Sequence, residues 1–214
     1  IANKVGSDDV SLLGTGAYAD KNVGGGNKSY TLSSLTLGGL MASNYFLATT
    51  SYSSTTGTVT ARPITWGVDN ASSTYGTVAV PGDGRLYNTI GGDVIVSTVT
   101  VYQTGTSTVV TPAVRTAAGS YDQKVSAITG TDAGNYSLVS GTTGVLAINP
   151  KAIVFSAPSI GKTYDGDTTY TTTAQNRTDA AAAAGVVSGD TLTGLSFAFD
   201  TKNAGTNKSI TTSG

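Results

Sequence analysis

The side chains able to do acid–base chemistry in this 214-residue sequence are Asp, Lys and Tyr, because it contains no His, no Cys and no Glu. Zinc centres of the usual kind, Ser-His-Asp and Cys-His nucleophile systems, iron–sulfur clusters and disulfides are thereby excluded. A glycosidase-like pair would have to be built from two Asp. The closest carboxylate pairs are Asp8 with Asp9 and Asp165 with Asp167. Either could join backbone carbonyls around calcium, and Asp165 and Asp167 are the better candidates, but neither pair has the spacing of a calcium hand. Lys21-Asn22 and Lys202-Asn203 place the two partners of a Lys–Asn isopeptide side by side. Such a bond usually needs a buried carboxylate catalyst, and only Asp is available. Trp66, the single Trp, offers a ring on which a saccharide could stack. Its place in an apolar strand predicts core filling instead. Asn27, Asn70, Asn135, Asn176 and Asn207 head glycosylation sequons, a number unsurprising in a chain so rich in Asn, Ser and Thr. The expectation is a protein that is not an enzyme and needs no cofactor.

The elements that carry these residues are predicted to be strands. Sixty residues are Ser or Thr, 28 are Gly, and Glu, a good helix former, is missing. Alternation marks Val59, then Ile95, Val99 and Val101, then Tyr136 and Leu138, as inward positions. Turn formers punctuate the runs at 24–26, 81–84, 91–92 and 165–166. The one helical candidate is Asp179 to Gly185, an apparent N-cap, an Ala run and a Gly stop. The fold class is therefore all-β. No apolar run approaches the twenty residues of a membrane span, so no membrane insertion is expected. Twelve basic residues against thirteen acidic ones predict no nucleic-acid partner. The opening IANKVGSDDV lacks a charged-then-apolar signal, as expected of a mature or internal segment.

Repeats organise the chain. GTVTARPI (57–64) returns as GVLAINPKAI (144–153), and GGLMASNYFL (38–47) returns as TGTDAGNYSL (129–138), which sets Asn44-Tyr45 opposite Asn135-Tyr136. The segment at 7–29 resembles the one at 189–209: an Asp-led strand, an aromatic strand, then Lys-Asn-x-Gly and Asn-Lys-Ser. Three modules follow, at 1–62, 63–150 and 151–214. A period of about 90 residues is too long for the coils of a β-helix and suits a string of small β domains. The expected architecture is an elongated array of small β-sandwich-like modules, or of grasp-like modules with one short helix. The turns at Tyr75-Gly76 and Tyr164-Asp165-Gly166 are read as aromatic core anchors followed by tight turns, and Asn44-Tyr45 and Asn135-Tyr136 as a turn Asn followed by a core Tyr. Arg62-Pro63 and 149–151 are read as linkers that limit bending, and loops 81–92 and 174–189 as module tips.

Lys162-Thr163-Tyr164-Asp165-Gly166, G-D-x-L at 189–192, D-x-K-N-x-G at 200–205, D-A-G-N-Y at 132–136 and N-P-K-A-I at 149–153 together resemble the YDG and MBG (mostly beta, glycine-rich) repeats. The two outer modules are similar to YDG repeats. The middle one, with Tyr75-Gly76 and no following Asp, is more similar to MBG, and the first departs from the pattern in carrying Leu40-Met41-Ala42-Ser43 where the middle one has Thr131-Asp132-Ala133-Gly134. Such repeats stand in tandem in very large secreted bacterial proteins, including filamentous-haemagglutinin-like adhesins of the two-partner secretion route. The resemblance implies an extracellular or cell-surface location and a stalk, with matrix or biofilm adhesion as its setting. Its partners would be neighbouring repeats of the same chain. The alternative is an adhesive module whose tip loops hold a host or matrix glycan or protein. The incomplete outer modules would leave open strand edges, so either the structural unit is out of phase with the sequence repeat or module three of one molecule completes module one of the next, which would give end-to-end self-association.

Overall fold

A computed structural model describes residues 1 and 3–213. It is mostly β, with 42% of residues in strands. The strands are β1 (Ser11–Tyr18), β2 (Gly24–Gly38), β3 (Tyr52–Val59), β4 (Arg62–Val68), β5 (Ala71–Thr74), β6 (Gly84–Tyr87) and β7 (Val96–Gln103), then β8 (Val109–Val110), β9 (Gly119–Thr129), β10 (Tyr136–Thr142), β11 (Gly144–Asn149), β12 (Thr169–Tyr170), β13 (Ser196–Phe199) and β14 (Ile210–Ser213). One α-helix, α1 (Ala174–Ala184), and two 3-10 turns, Ala42–Asn44 and Ala133–Asn135, complete the described elements.

The chain divides into two compact units. The first takes Ile1–Ala71, Pro81–Val110 and Tyr121–Val145; the second takes Ser72–Val80, Thr111–Ser120 and Leu146–Gly214.

In the first unit β1, β2 and β3 form an antiparallel meander. A second sheet runs β10-β4-β6, in which β10 lies parallel to β4 and β6 antiparallel to it. The antiparallel ladder β9-β7-β8 faces Ile95, Ser97, Val99 and Val101 progressively inward, as the alternation predicts. Ile64, Val68, Val101, Val125 and Tyr136 are buried. Gln123 is fully buried among them. Its Oε1 accepts the Gly82 N–H at 2.7 Å and its Nε2 donates to the Asp69 carbonyl at 3.3 Å, so a polar side chain closes a backbone gap that no strand partner fills. Gly82 has to be glycine, since a Cβ there would fall 1.9 Å from the Asp69 carbonyl oxygen.

The second unit holds the antiparallel sheet β12-β13-β14 and α1. Its buried residues include Ala79, Leu146, Ile148, Ala180, Ala181, Ala184, Val187 and Phe197, with Tyr170 edge-on to Phe199 at 6.3 Å.

The helix begins six residues before the predicted start, cap to cap. Its N-cap is Thr173, whose Oγ1 accepts the Asn176 N–H at 3.1 Å while Asn176 Oδ1 accepts the Thr173 N–H at 3.0 Å. Asn in place of the usual Glu or Gln hides this reciprocal cap from a motif search. Asp179 instead lies within the helix and accepts from Gln175 Nε2 at 2.7 Å. The stop at Gly185 is as read, with φ 73°. Residues 174–184 are therefore helix and not a tip loop, and β6 occupies part of 81–92. Arg62-Pro63 is likewise no linker, since both residues open β4, where a missing N–H is tolerated at the start of a strand.

Candidate functional site

One four-residue turn recurs three times, as Val5–Asp8, Ile90–Asp93 and Val187–Asp190. The Asp N–H closes each on the first carbonyl, at 3.1, 3.2 and 2.9 Å. Each contains a glycine in the left-handed region: Gly6, Gly92 and Gly189, with φ of 48°, 91° and 91°. The turn serves to present the Asp carboxylate, and each carboxylate takes the hydroxyl of a tyrosine far away in sequence. Tyr45 donates to Asp8 at 2.6 Å, Tyr136 to Asp93 at 2.6 Å and Tyr75 to Asp190 at 2.5 Å. In the first two copies the same hydroxyl also accepts the N–H that begins the turn, Val5 or Ile90, each at 3.0 Å. Tyr45 and Tyr136 are placed by the two 3-10 turns that precede them.

Each 3-10 turn is bonded to the residue after its Asp. Met41 N–H donates to the Asp9 carbonyl and Asp132 N–H to the Val94 carbonyl. The approach is close enough that a Cβ on Gly39 or Gly130 would sit 2.4 or 2.3 Å from that carbonyl oxygen. A carboxylate reinforces both bridges, but from opposite sides. Asp9 accepts the Leu40 N–H at 3.0 Å, whereas Asp132 accepts the Val94 N–H at 3.0 Å. The Met41 departure from the D-A-G-N pattern is thus matched by an Asp on the other side of the bridge.

The second copy has a further component. The β1–β2 turn brings Lys21 to Asp93 at 2.6 Å and to Asp132 at 2.8 Å. Its neighbours complete the seat: Val23 N–H donates to Asn135 Oδ1 at 2.9 Å, and Asn135 Nδ2 donates to Asn22 Oδ1 at 3.1 Å. Asp93 and Asp132 are 9% and 16% exposed, so the carboxylates form a socket and the Lys21-Asn22 turn a knob. The hydrogen bonds that Lys21 donates to Asp132 and then Asp93 push its ammonium well above its ordinary range. Lys21 in turn holds both carboxyls below theirs. Burial, then the Asp93 bond, raises the Tyr136 phenol. Asp8 and Asp190 raise Tyr45 and Tyr75 in the same way, and Tyr75 lowers Asp190. Every one of these displacements is away from neutrality, so the groups are fixed in one charge state and suited to cohesion. Lys21 in particular is held as an ammonium, whereas amide formation requires the neutral amine.

Of the sequence candidates, Tyr136 is a buried anchor and Tyr45 a half-buried one. Asn135 does double duty in the turn and the knob seat. Gly76 has φ 97° and approaches the Val187 side chain so closely that a Cβ would lie 2.8 Å from it. Tyr164 is 61% exposed and is no core anchor, although Asp165-Gly166 does turn, with φ 85° at Gly166. The reason is that the turn is organised by Lys162. Its Nζ donates to Asp165 at 2.8 and 3.0 Å and to the carbonyls of Asp167 and Thr169 at 2.9 and 2.6 Å. The oxygens that a cation would need there are taken by the chain's own ammonium, which lowers the Asp165 carboxyl. Asp167 Oδ1 accepts the N–H groups of Thr168 and Thr169, which lower its carboxyl too. Among the described residues no group of three potential metal ligands assembles. Trp66 is half-buried and lies flat on Gly141 of β10, where a Cβ would fall 2.0 Å from the ring. The sequence does not show the pairing of these aspartates with their tyrosines, which lie 37 to 115 residues away. A signal of the turns themselves was nonetheless present, in the Ser7-Asp8, Gly92-Asp93 and Gly189-Asp190 dipeptides of the repeats.

The family model of the YDG domain matches residues 1–52 and 149–214, more than half of the chain. The chain belongs to the YDG domain family. No curated protein and no solved structure matches it. In this YDG chain, Lys162 clasps Asp165 of the Tyr164-Asp165-Gly166 turn, and the Asp190–Tyr75 bond lies in the second unit together with Arg115, whose Nε donates to Asp190 at 2.9 Å. Among the described residues no helix is long and apolar enough to cross a membrane.

Proposed function

We propose that this YDG segment is a structural spacer of a large secreted or surface-anchored bacterial adhesin, and that it extends a binding region away from the cell. The observation that supports the reading is the threefold return of one Asp turn locked by a tyrosine, with all its ionisable groups fixed in cohesive pairs. Repetition of a self-contained clasp adds length without adding chemistry. The reading assigns the segment no catalytic step and no cofactor. A glycan-binding role receives less support, because the one Trp lies against Gly141.

The test is to insert one, two or three copies of the 214-residue chain between a surface anchor and a reporter domain. The reporter's height above the surface is expected to rise by a constant increment per copy. An unchanged height, or glycan retention by the chain that Trp66→Ala abolishes, would overturn the proposal.

A further inference from the structure

The Lys-Asn dipeptide stands twice at the tip of a turn between strands, and among the described residues the first copy alone meets a socket. The turn between β13 and β14 is built like the one between β1 and β2. Asp200 N–H closes on the Ser209 carbonyl at 3.0 Å, as Ala19 N–H closes on Ser29 at 3.0 Å. Lys208 braces the loop from within through Thr201 Oγ1, as Lys28 does through Asp20, and also donates to the Asn203 carbonyl at 2.9 Å. Both bracing lysines are largely buried, with side chains 17% and 9% exposed. The loop conformation is therefore fixed in both places before anything docks. At its tip stand Lys202 and Asn203, where the first loop has Lys21 and Asn22. Lys202 and Asn203 are exposed, and Lys202 has no hydrogen-bond or ion-pair partner among the described residues.

We propose that Lys202-Asn203 is the joint to a following repeat, one that carries a Gly-Asp turn and a D-A-G-N-Y segment equivalent to Gly92-Asp93 and 132–136. This rests on the spacer reading and gives it a mechanism for fixing one module on the next. Lys202 would lie between the two carboxylates of that repeat, its Asn203 against the repeat's Asn, and the residue after Asn203 would donate its N–H there. The occupant follows from charge, since the knob is a single ammonium and the socket two half-sequestered carboxylates. It also follows from precedent within the chain, because Lys21-Asn22 already occupies such a socket. Individually exposed pairs of this kind contribute little. Tethering makes the encounter intramolecular, so the joint operates within one chain and adds no stickiness between chains.

The test compares the 214-residue protein with a longer chain in which residues 35–150 are repeated after position 214, which restores the order knob, then socket. Lysine acylation is followed by mass spectrometry. In the 214-residue protein Lys21 should react at least about tenfold more slowly than Lys202, since each unit of raised pKa removes about tenfold of the reactive amine. In the longer chain Lys202 should fall to the Lys21 rate, and Asp→Asn at both carboxylates of the second socket should restore it. Lys202 reacting equally fast in both folded chains would overturn the joint and leave the spacer reading standing. A longer chain that shows no β-rich cooperative melt would instead count against the tandem reading itself, and against the joint with it.

Discussion

Lys21 holds two carboxylates that would otherwise repel each other, and its loss should be visible in acid. Asp93 and Asp132 are depressed in the folded state. Their contribution is present above the unfolded carboxyl value of about 4 and disappears as pH falls through the lower folded value. Lys21→Met removes the cause of both shifts. The variant should melt at lower temperature than the parent at pH 6, and its melting temperature should fall less between pH 4 and 2; parallel acid curves would contradict the assignment. What the sequence shows of such a site is its apolar half. Asn135-Tyr136 stands out because Tyr begins a strand after a turn former. The phenol's polar end is invisible to periodicity, which reports the face a side chain takes and not the group it reaches. Tyr164 shows the converse: the same Tyr-turn pattern, but with the turn held by Lys162 three residues before Asp165, and so no need to bury the ring.

Elements in this chain are closed by small, specific devices. Gly130 has φ 118° and a carbonyl oxygen where its Cβ would be. Gly130→Ala should cost a few kcal/mol, about 1–3 from backbone strain with a steric term added, by urea unfolding. Gln123→Leu keeps the volume but leaves the Gly82 N–H and the Asp69 carbonyl unpaired, at a cost of about 1–3 kcal/mol. Thr173→Ala should cost about 0.5–2 kcal/mol by removing the helix cap. A change below 0.3 kcal/mol in any of the three, measured at constant m-value, would show that the device named is not what closes the element. Strand identity was legible because β-branched residues alternate and Glu is missing. The helix start was not, because Asp179 ahead of an Ala run mimics a cap, and only the Thr173-to-Asn176 pairing in space shows the real one. Pro63 misled in a similar way, since a proline reads as punctuation yet needs only a strand position whose N–H has no partner.

For the whole molecule, the absence of His makes the acid and alkaline limits far apart. The depressed groups are all Asp; the raised ones include Lys21, Tyr45, Tyr75 and Tyr136. A raised value contributes stability that is complete below the unfolded value of about 10 and is lost as pH climbs through the folded one. Melting temperature should therefore be nearly constant between about pH 5 and 9 and decline on both sides, with the alkaline decline delayed past about pH 10; a slope of several degrees across pH 6–8 would contradict this. What the sequence shows at this scale is that like segments recur, at offsets near 90 residues. A period says which segments are alike but not which of them pack together, and the two compact units each gather three separate stretches of chain. One carboxylate changes sides between the copies, Asp9 in the first and Asp132 in the second. Tandem copies synthesised in one chain invite swapping between neighbours. With Met41 where Asp132 stands in the other copy, the first site presents a different charge layout to an incoming lysine. A lysine arriving at the first site would meet Asp8 without the second carboxylate that Asp132 supplies to Lys21, so the two sites differ in what they can hold.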